Sequence, residues 1–138
     1  TNMREFNLQI IGYINTFEKL TRTKVKDAFI NKNNQLVFIV EPGFAGMAIG
    51  KEGVNIKRLS KMLNKNIKVI EFNPDVKKFI KNITQPLEIK EITQENNTVN
   101  IITNSTSVKA SLIGRDRKNL KALQNLIDKY FKVEIKIL

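Results

Sequence analysis

The sequence predicts an α+β fold built from two tandem copies of one module, each with a three-stranded sheet packed on helices in the order α-β-β-α-α-β. Helix-like and strand-like spacings of apolar residues follow each other in this order twice along the chain. A shift of 64 places also aligns residues 49–69 with a second stretch at eight identical positions out of 21. We therefore expect two modules, at residues 1–72 and 73–138, with a boundary near Asn73.

The first module begins with a helix and continues with a hairpin. An apolar stripe at steps of three and four predicts a helix that ends near Leu20, and its members are Met3, Phe6, Ile10, Ile14 and Phe17. Strands are predicted at 25–30 and 35–40 around "NKNN", where asparagine tolerates positive φ. About two helical turns in "FAGMAIG", a helix over Val54–Leu63 and a strand at 67–72 complete the module.

The second module repeats this order. A helix is predicted from Asn73 with Pro74 in its first turn, followed by strands in "PLEIKEI" and "TVNIIT" around "QENN". A short helix in "SVKASLIG", a longer one over Lys118–Lys129 and a strand in "KVEIKI" follow. The identities with the first module are Ile49/Ile113, Gly50/Gly114, Asn55/Asn119, Lys57/Lys121, Leu59/Leu123, Lys65/Lys129, Lys68/Lys132 and Val69/Val133.

The charge of the chain indicates a polyanionic partner. Its 24 Lys and Arg against 13 Asp and Glu give a net charge of +11, with an excess of basic residues in both halves. Such an even excess favours nucleic acid or an anionic membrane surface as the partner. A general solubility charge in a lysine-rich proteome is the alternative that charge alone leaves open.

Missing residue types narrow the function classes. The chain has no Cys and no His, which removes disulfides, thiolate nucleophiles, the usual metal ligands and the usual neutral-pH general base. We therefore expect that the protein is not an enzyme and that it has no cofactor and no metal site. Without an apolar run of about 18 residues or a signal-peptide pattern at residues 1–20, we also expect a cytoplasmic protein without a membrane association.

The segment "AIGKEGVNIKRL" places a Gly-x-x-Gly turn, Gly50 to Gly53, at the entrance of a basic helix. Two glycines permit unusual backbone conformations and let a sugar-phosphate chain lie close to the main chain. The following helix start and Lys51 add positive potential at the same place. Ile49, Ile56 and the second strand are expected to form an apolar floor for bases.

This arrangement resembles the type II K-homology (KH) fold. With "FEKLT", "VEPGFAGMAIGKEGVNIKRLSKML" and "FIKN", the chain is similar to the archaeal NusA-like transcription factors, which consist of two KH domains. The resemblance implies binding of single-stranded RNA, about four nucleotides per domain, and a role in transcription termination or antitermination beside RNA polymerase. The RNA-binding residues it implies are Ile49, Gly50, Lys51, Glu52, Gly53, Asn55, Lys57, Gly114, Arg115, Arg117, Lys118 and Lys121.

The second loop departs from the family pattern because Arg117 stands where the second glycine is expected. Close backbone approach is therefore in doubt there, although Arg115, Arg117 and Lys118 can still hold phosphate. We interpret the second module as a weaker or altered site, with a purely structural copy as the alternative. For the whole chain, a ribosomal or ribosome-assembly KH protein and, remotely, a lysine-dependent enzyme remain open.

Overall fold

The structure is a computed structural model that describes the backbone of residues 3–138 and the side chains of residues 7–138. The chain divides between Asn73 and Pro74 into two compact units. Each unit holds its own three-stranded sheet, with the strand orders β1-β2-β3 and β4-β5-β6. In the part of the chain that the structure describes, no helix is both long and apolar enough to cross a membrane.

The first unit has the predicted order of elements. Its helices and strands are α1 (Met3–Thr21), β1 (Val25–Ile30), β2 (Gln35–Val40), α2 (Ala45–Ile49), α3 (Val54–Leu63) and β3 (Asn66–Glu71). Strand β2 lies in the middle, antiparallel to β1 and parallel to β3. A single 3-10 turn, Lys51–Gly53, separates α2 from α3 and contains the predicted loop.

The core of the first unit joins α1 to the sheet and to the helices that flank the loop. Phe17 stacks on Phe38 with ring centroids 4.0 Å apart, and both are fully buried with Ala48 and Leu59. The predicted helical stripe is confirmed for Ile10, Ile14 and Phe17, which contact this cluster; Met3 and Phe6 lie outside the described side chains. Burial of Ala48 and Leu59 fixes α2 and α3, and therefore the loop between them, on the sheet.

The second unit repeats the order. Its elements are α4 (Val76–Thr84), β4 (Glu91–Glu95), β5 (Thr98–Ile102), α5 (Thr106–Ile113), α6 (Lys118–Asp128) and β6 (Glu134–Ile137). Strand β5 is central, antiparallel to β4 and parallel to β6. A 3-10 turn, Arg115–Arg117, lies between α5 and α6.

Two predicted boundaries in the second unit are wrong. Helix α4 begins at Val76 rather than at Asn73, because the Asp75 side chain caps it by accepting a hydrogen bond of 3.0 Å from the Lys77 N–H. Strand β4 begins only at Glu91, so it includes just the last two residues of "PLEIKEI", and it extends through Gln94 and Glu95, which were predicted to lie in the turn. The turn is formed by Asn96–Asn97 alone, with Asn96 at a φ of 54°.

The connection between the last helix and the last strand differs in length between the units. Strand β3 begins at Asn66, soon after α3 ends at Leu63, whereas β6 begins only at Glu134 although α6 ends at Asp128. Lys68 and Val69 therefore lie within β3, while Lys132 and Val133 precede β6. The identities Lys68/Lys132 and Val69/Val133 thus join positions that are not equivalent in the two units.

Candidate nucleic-acid-binding surface

The first loop owes its shape to three residues with positive φ. Gly50 has φ 80° and ψ 169°, Glu52 has φ 55°, and Gly53 has φ 74° and ψ 19°. The Gly50 conformation belongs to a region that is essentially restricted to glycine. Gly53 lies in the left-handed helical region, and a Cβ added there would meet nothing within 4 Å. Gly50 is therefore required by the fold, whereas packing inside the chain does not require Gly53.

A side-chain hydrogen bond closes the first loop. The Asn55 Nδ2 donates to the Met47 carbonyl at 2.9 Å, which ties the start of α3 to the last turn of α2. A Cβ on Gly50 would lie 3.0 Å from the Asn55 Cγ and Nδ2, so Asn55 packs directly on the glycine. Asn55 is among the residues predicted to bind RNA, and one of its two side-chain N–H donors is used within the loop.

The second loop has the same backbone although one glycine is missing. Gly114 has φ 74° and ψ 170°, Asp116 has φ 54°, and Arg117 has φ 62° and ψ 20°. Asn119 Nδ2 donates to the Ser111 carbonyl at 2.7 Å, and a Cβ on Gly114 would lie 2.6 Å from the Asn119 Cγ. Sequence reasoning missed the role of Asn119, although its identity with Asn55 was the available signal.

The helices that follow the loops start without a side-chain cap. No side-chain cap hydrogen bond is present at Gly53 before α3 or at Arg117 before α6. By contrast, Asp75 caps α4 and Ser105 caps α5. The N-terminal end of a helix carries positive potential and backbone donors that suit a phosphate group. Helix α2 also lacks a cap at its N-cap residue, Phe44, but the Ala45 N–H at its start donates to the Glu71 Oε1 at 3.3 Å.

Exposed apolar side chains border the first loop. Met47 is 54% exposed, Ile49 39% and Val54 48%, and the cations Lys51 and Lys57 are exposed beside them. Exposed apolar groups next to cations suit a ligand that has both flat bases and phosphates. Ile49 was predicted for this surface, whereas Met47 and Val54 were missed.

The predicted contribution of the second strand to this surface is wrong. Residues 36–40 of β2 are at most 1% exposed. Ile56 is only partly exposed. The exposed apolar side chains at this loop therefore come from α2 and the start of α3, and not from residues 36–40 of β2.

Cations border the second loop. Arg115, Arg117, Lys118 and Lys121 are all exposed, and Lys118 occupies the position that corresponds to the apolar Val54. An open cleft of about 700 Å³ runs between α6 and β6, and its lining includes Arg117, Lys121, Gln124, Asp128, Lys132 and Ile135. The sequence analysis predicted Arg117 and Lys121 for binding but gave no reason to single out Gln124 or Lys132.

The first unit has the architecture and the loop of a KH domain. Residues 12–88 match the KH domain family, which is more than half of the 138 residues. The chain therefore belongs to the KH domain family.

Individual relatives narrow this class. The chain is 34% identical to the "Probable transcription termination protein NusA" of Methanococcus vannielii, over 84% of this chain and 68% of that protein. It is 30% identical to the protein of the same name from Methanocaldococcus jannaschii, over 91% of this chain and 70% of that protein. A solved structure titled "Crystal structure of APE1850" matches with a TM-score of 0.70 and 32% identity, over 95% of this chain and 99% of that one. The chain is thus similar to archaeal NusA-like KH proteins.

Proposed function

We propose that this chain binds single-stranded RNA through the loop Gly50–Gly53, and that it does so in transcription termination or antitermination together with RNA polymerase. The observation that supports RNA binding is the geometry of the first loop. Two glycines with positive φ, an uncapped helix start and three exposed apolar side chains meet at one place. Each of these features suits one part of a nucleotide.

At the first site, the phosphates lie on the loop and the bases lie beside it. Gly53 has open space around it, so a phosphate group can approach the main chain and the start of α3. Lys51 and Lys57, which are exposed beside the loop, attract the phosphates by charge. Ile49 and Val54 are positioned to contact the faces of unstacked bases, which a duplex does not offer.

The second unit acts, in this proposal, as a second KH domain with a degenerate loop. The support is the same element order and the same loop backbone as in the first unit. Arg115, Arg117, Lys118 and Lys121 hold phosphates by charge at this site. It is weaker than the first site because Arg117 puts a long side chain where Gly53 leaves the main chain open.

The role in transcription comes from the relatives. The two similar proteins from Methanococcus vannielii and Methanocaldococcus jannaschii carry the name of a transcription termination protein. A tagged copy of the chain, purified from its native cells after nuclease treatment, should retain RNA polymerase subunits. Recovery of the small ribosomal subunit in place of the polymerase would contradict this part of the proposal.

RNA binding is tested by comparing strand state and salt. Single-stranded RNA should bind more tightly than a duplex of the same length, because duplex bases are not available to Ile49 and Val54. If the two units together neutralise roughly six phosphates, the slope of log K against log salt should be near −4, from about 0.7 per phosphate. Fluorescence anisotropy titrations at several salt concentrations measure both quantities. Equal affinity for duplex and single strand would leave only a generic basic surface.

A further inference from the structure

The cleft of the second unit is partly closed by one side chain, Gln124 on α6. Its Nε2 donates to the Val133 carbonyl and to the Asp128 Oδ1, both at 2.8 Å. Its Oε1 accepts from the Ile135 N–H, also at 2.8 Å. The Gln124 amide group thus bridges α6 to the start of β6 and has both of its N–H donors in use.

The backbone groups that Gln124 occupies belong to the free edge of a sheet. Strand β6 lies at the edge of its sheet and, within the described part of the chain, pairs with β5 alone. The Glu134 N–H donates to Asn97 and the Leu138 N–H to Ile101, so these groups face β5. Because backbone groups alternate along a strand, the Ile135 N–H and the Val133 carbonyl face outward, into the cleft. An unpaired donor and acceptor at an edge form a ready template for a ligand.

The chemical match between this edge and a base is close. A backbone N–H and a neighbouring carbonyl can pair with the acceptor and donor on the hydrogen-bonding edge of an unpaired base. The Gln124 carboxamide presents one acceptor and one donor to the same two groups. The Gln124 side chain therefore occupies the two backbone groups that would otherwise form hydrogen bonds with a base.

The first unit has no such side chain. The residue 64 places before Gln124 is Ser60, whose hydroxyl is too short to span from α3 to a strand edge. Strand β3 is also an edge strand, and the Phe72 N–H faces β2 by donating to Val40. By the same alternation the N–H of Ile67, which corresponds to Ile135 in the register of the sheet, faces outward, and among the described residues no side chain is found bonded to it.

We infer that Gln124 is a specificity-determining residue: it occupies the base-reading edge of the second cleft, so that this site holds RNA by charge and with little base selectivity. The inference rests on the proposed RNA binding. Arg117, Lys121 and Lys132 line the same cleft and supply the charge attraction that remains. Base selectivity of the whole chain then comes from the first unit, where the strand edge is open.

The test isolates the second site and compares bases. In a chain whose first loop carries Lys51→Asp and Glu52→Asp, anisotropy titrations with oligo(A), oligo(C) and oligo(U) octamers should give affinities within about twofold of each other. Adding Gln124→Ser should widen the spread to about fivefold or more, the effect of one net hydrogen bond. Asn125→Ser, on the exposed side of the same helix, is the matched control and should leave the spread unchanged.

The reciprocal change tests the first site. In a chain with Arg115→Asp, the variant Ser60→Gln should reduce the base selectivity of the first site. On the unaltered chain, the NMR scalar coupling across the hydrogen bond from the Ile135 N–H to the Gln124 side-chain carbonyl should persist during RNA titration, while the Ile67 amide signal shifts. This NMR experiment needs no variant, so it tests the inference even if Gln124→Ser fails to fold.

Two results overturn the inference. One is a second site that discriminates bases as strongly with Gln124 as with serine. The other is loss of the coupling between Ile135 and Gln124 on RNA addition, which would show that the side chain leaves the edge to admit a base. Both leave the proposed RNA binding intact. Failure of the unaltered chain to bind any of the octamers would instead overturn the proposed function and the inference with it.

Discussion

Both loops are bordered by exposed cations, but the first also has the exposed apolar side chains of Met47, Ile49 and Val54, whereas the second has Lys118 in the place of Val54. Their backbones are nevertheless alike: Gly50 and Gly114 share one conformation, and Gly53 and Arg117 share another. Two surfaces of different chemistry are therefore built on one loop shape.

This comparison separates the roles of the two glycines. Gly50 and Gly114 each pack against an asparagine that donates to the preceding helix. Arg117 adopts the left-handed conformation that Gly53 adopts, at a cost of about 1–2 kcal/mol for a residue with a Cβ. The glycine and asparagine pair therefore sets the loop shape, and the fourth loop position is available for ligand contact.

The largest effect is expected from the first glycine of each loop. Gly114→Ala should lower the free energy of unfolding by about 3 kcal/mol, because two costs combine. Alanine is strained in a backbone conformation that suits only glycine, and its Cβ would force Asn119 to move. Gly50→Ala should cost less, about 2 kcal/mol, since its Cβ contacts with Asn55 are less close. Chemical denaturation of both variants gives the ranking. An equal or reversed ranking would contradict the role assigned to the asparagine contact.

Charge reversal at the loops should separate the two sites by affinity. Lys51→Asp with Glu52→Asp places negative charge where a phosphate should lie, so RNA binding should weaken by at least about 2 kcal/mol. The corresponding change in the second loop is Arg115→Asp alone, since Asp116 is already acidic, and it should cost less. Titration with short single-stranded RNA measures both. Equal losses would show that the first loop is not the principal site.

Loss of the asparagine hydrogen bond should have a smaller effect. Asn55→Ala removes the bond to Met47 and should lower the free energy of unfolding by about 1 kcal/mol. Asn119→Ala should do the same in the second unit, and Asn15→Ala, on the exposed side of α1, serves as the surface control. Thermal melts of the three variants are the measurement. If Asn55→Ala matches the surface control, the hydrogen bond does not hold the loop.

Substitution at the fourth loop position is expected to change the free energy of unfolding least. Its effect on RNA affinity is the more informative measurement. Arg117→Gly relieves left-handed strain but adds freedom to the unfolded chain, so the free energy of unfolding should change by less than about 1 kcal/mol. RNA binding at the second site should become tighter, with a shallower salt slope if Arg117 contacts phosphate.

The reverse substitution is the matched control. Gly53→Arg should fold, because Arg117 already tolerates this conformation and the space around Gly53 is open. It should nevertheless weaken RNA binding at the first loop. If Gly53→Arg binds as well as the unaltered chain, the second glycine is not used for close approach, and the two loops differ only in their neighbours.

The sequence was sufficient for the elements of the first unit and for the position of both loops. Apolar spacing and punctuation by glycine and asparagine are local signals, and Val54–Leu63 and the hairpin turn at Asn34 follow from them. The start of α4 was misplaced because a proline in the first turn and an aspartate cap are both valid start signals, and the cap determines where this helix begins.

Features that depend on tertiary packing could not be predicted from the sequence. Gln124 is an ordinary polar position on a helix, and its role arises only because the tertiary fold brings Val133 and Ile135 beside it. The exposure of Met47 and Val54 likewise depends on how α2 and α3 pack, since apolar residues at helical spacing are usually buried. The burial of residues 36–40 of β2 depends on what packs over the faces of its sheet, which the pattern along the chain does not reveal.

The conformation that Gly53 and Arg117 share has a consequence for how such proteins diverge after gene duplication. Every glycine codon becomes an arginine codon when its first base changes from G to C. Because the left-handed backbone at this position accepts either residue, a single nucleotide substitution can exchange an open main-chain surface for a mobile positive charge without unfolding the domain. Under the proposed function, one copy can thus drift toward general RNA attachment while the other keeps its selectivity, and the same step can be reversed by selection.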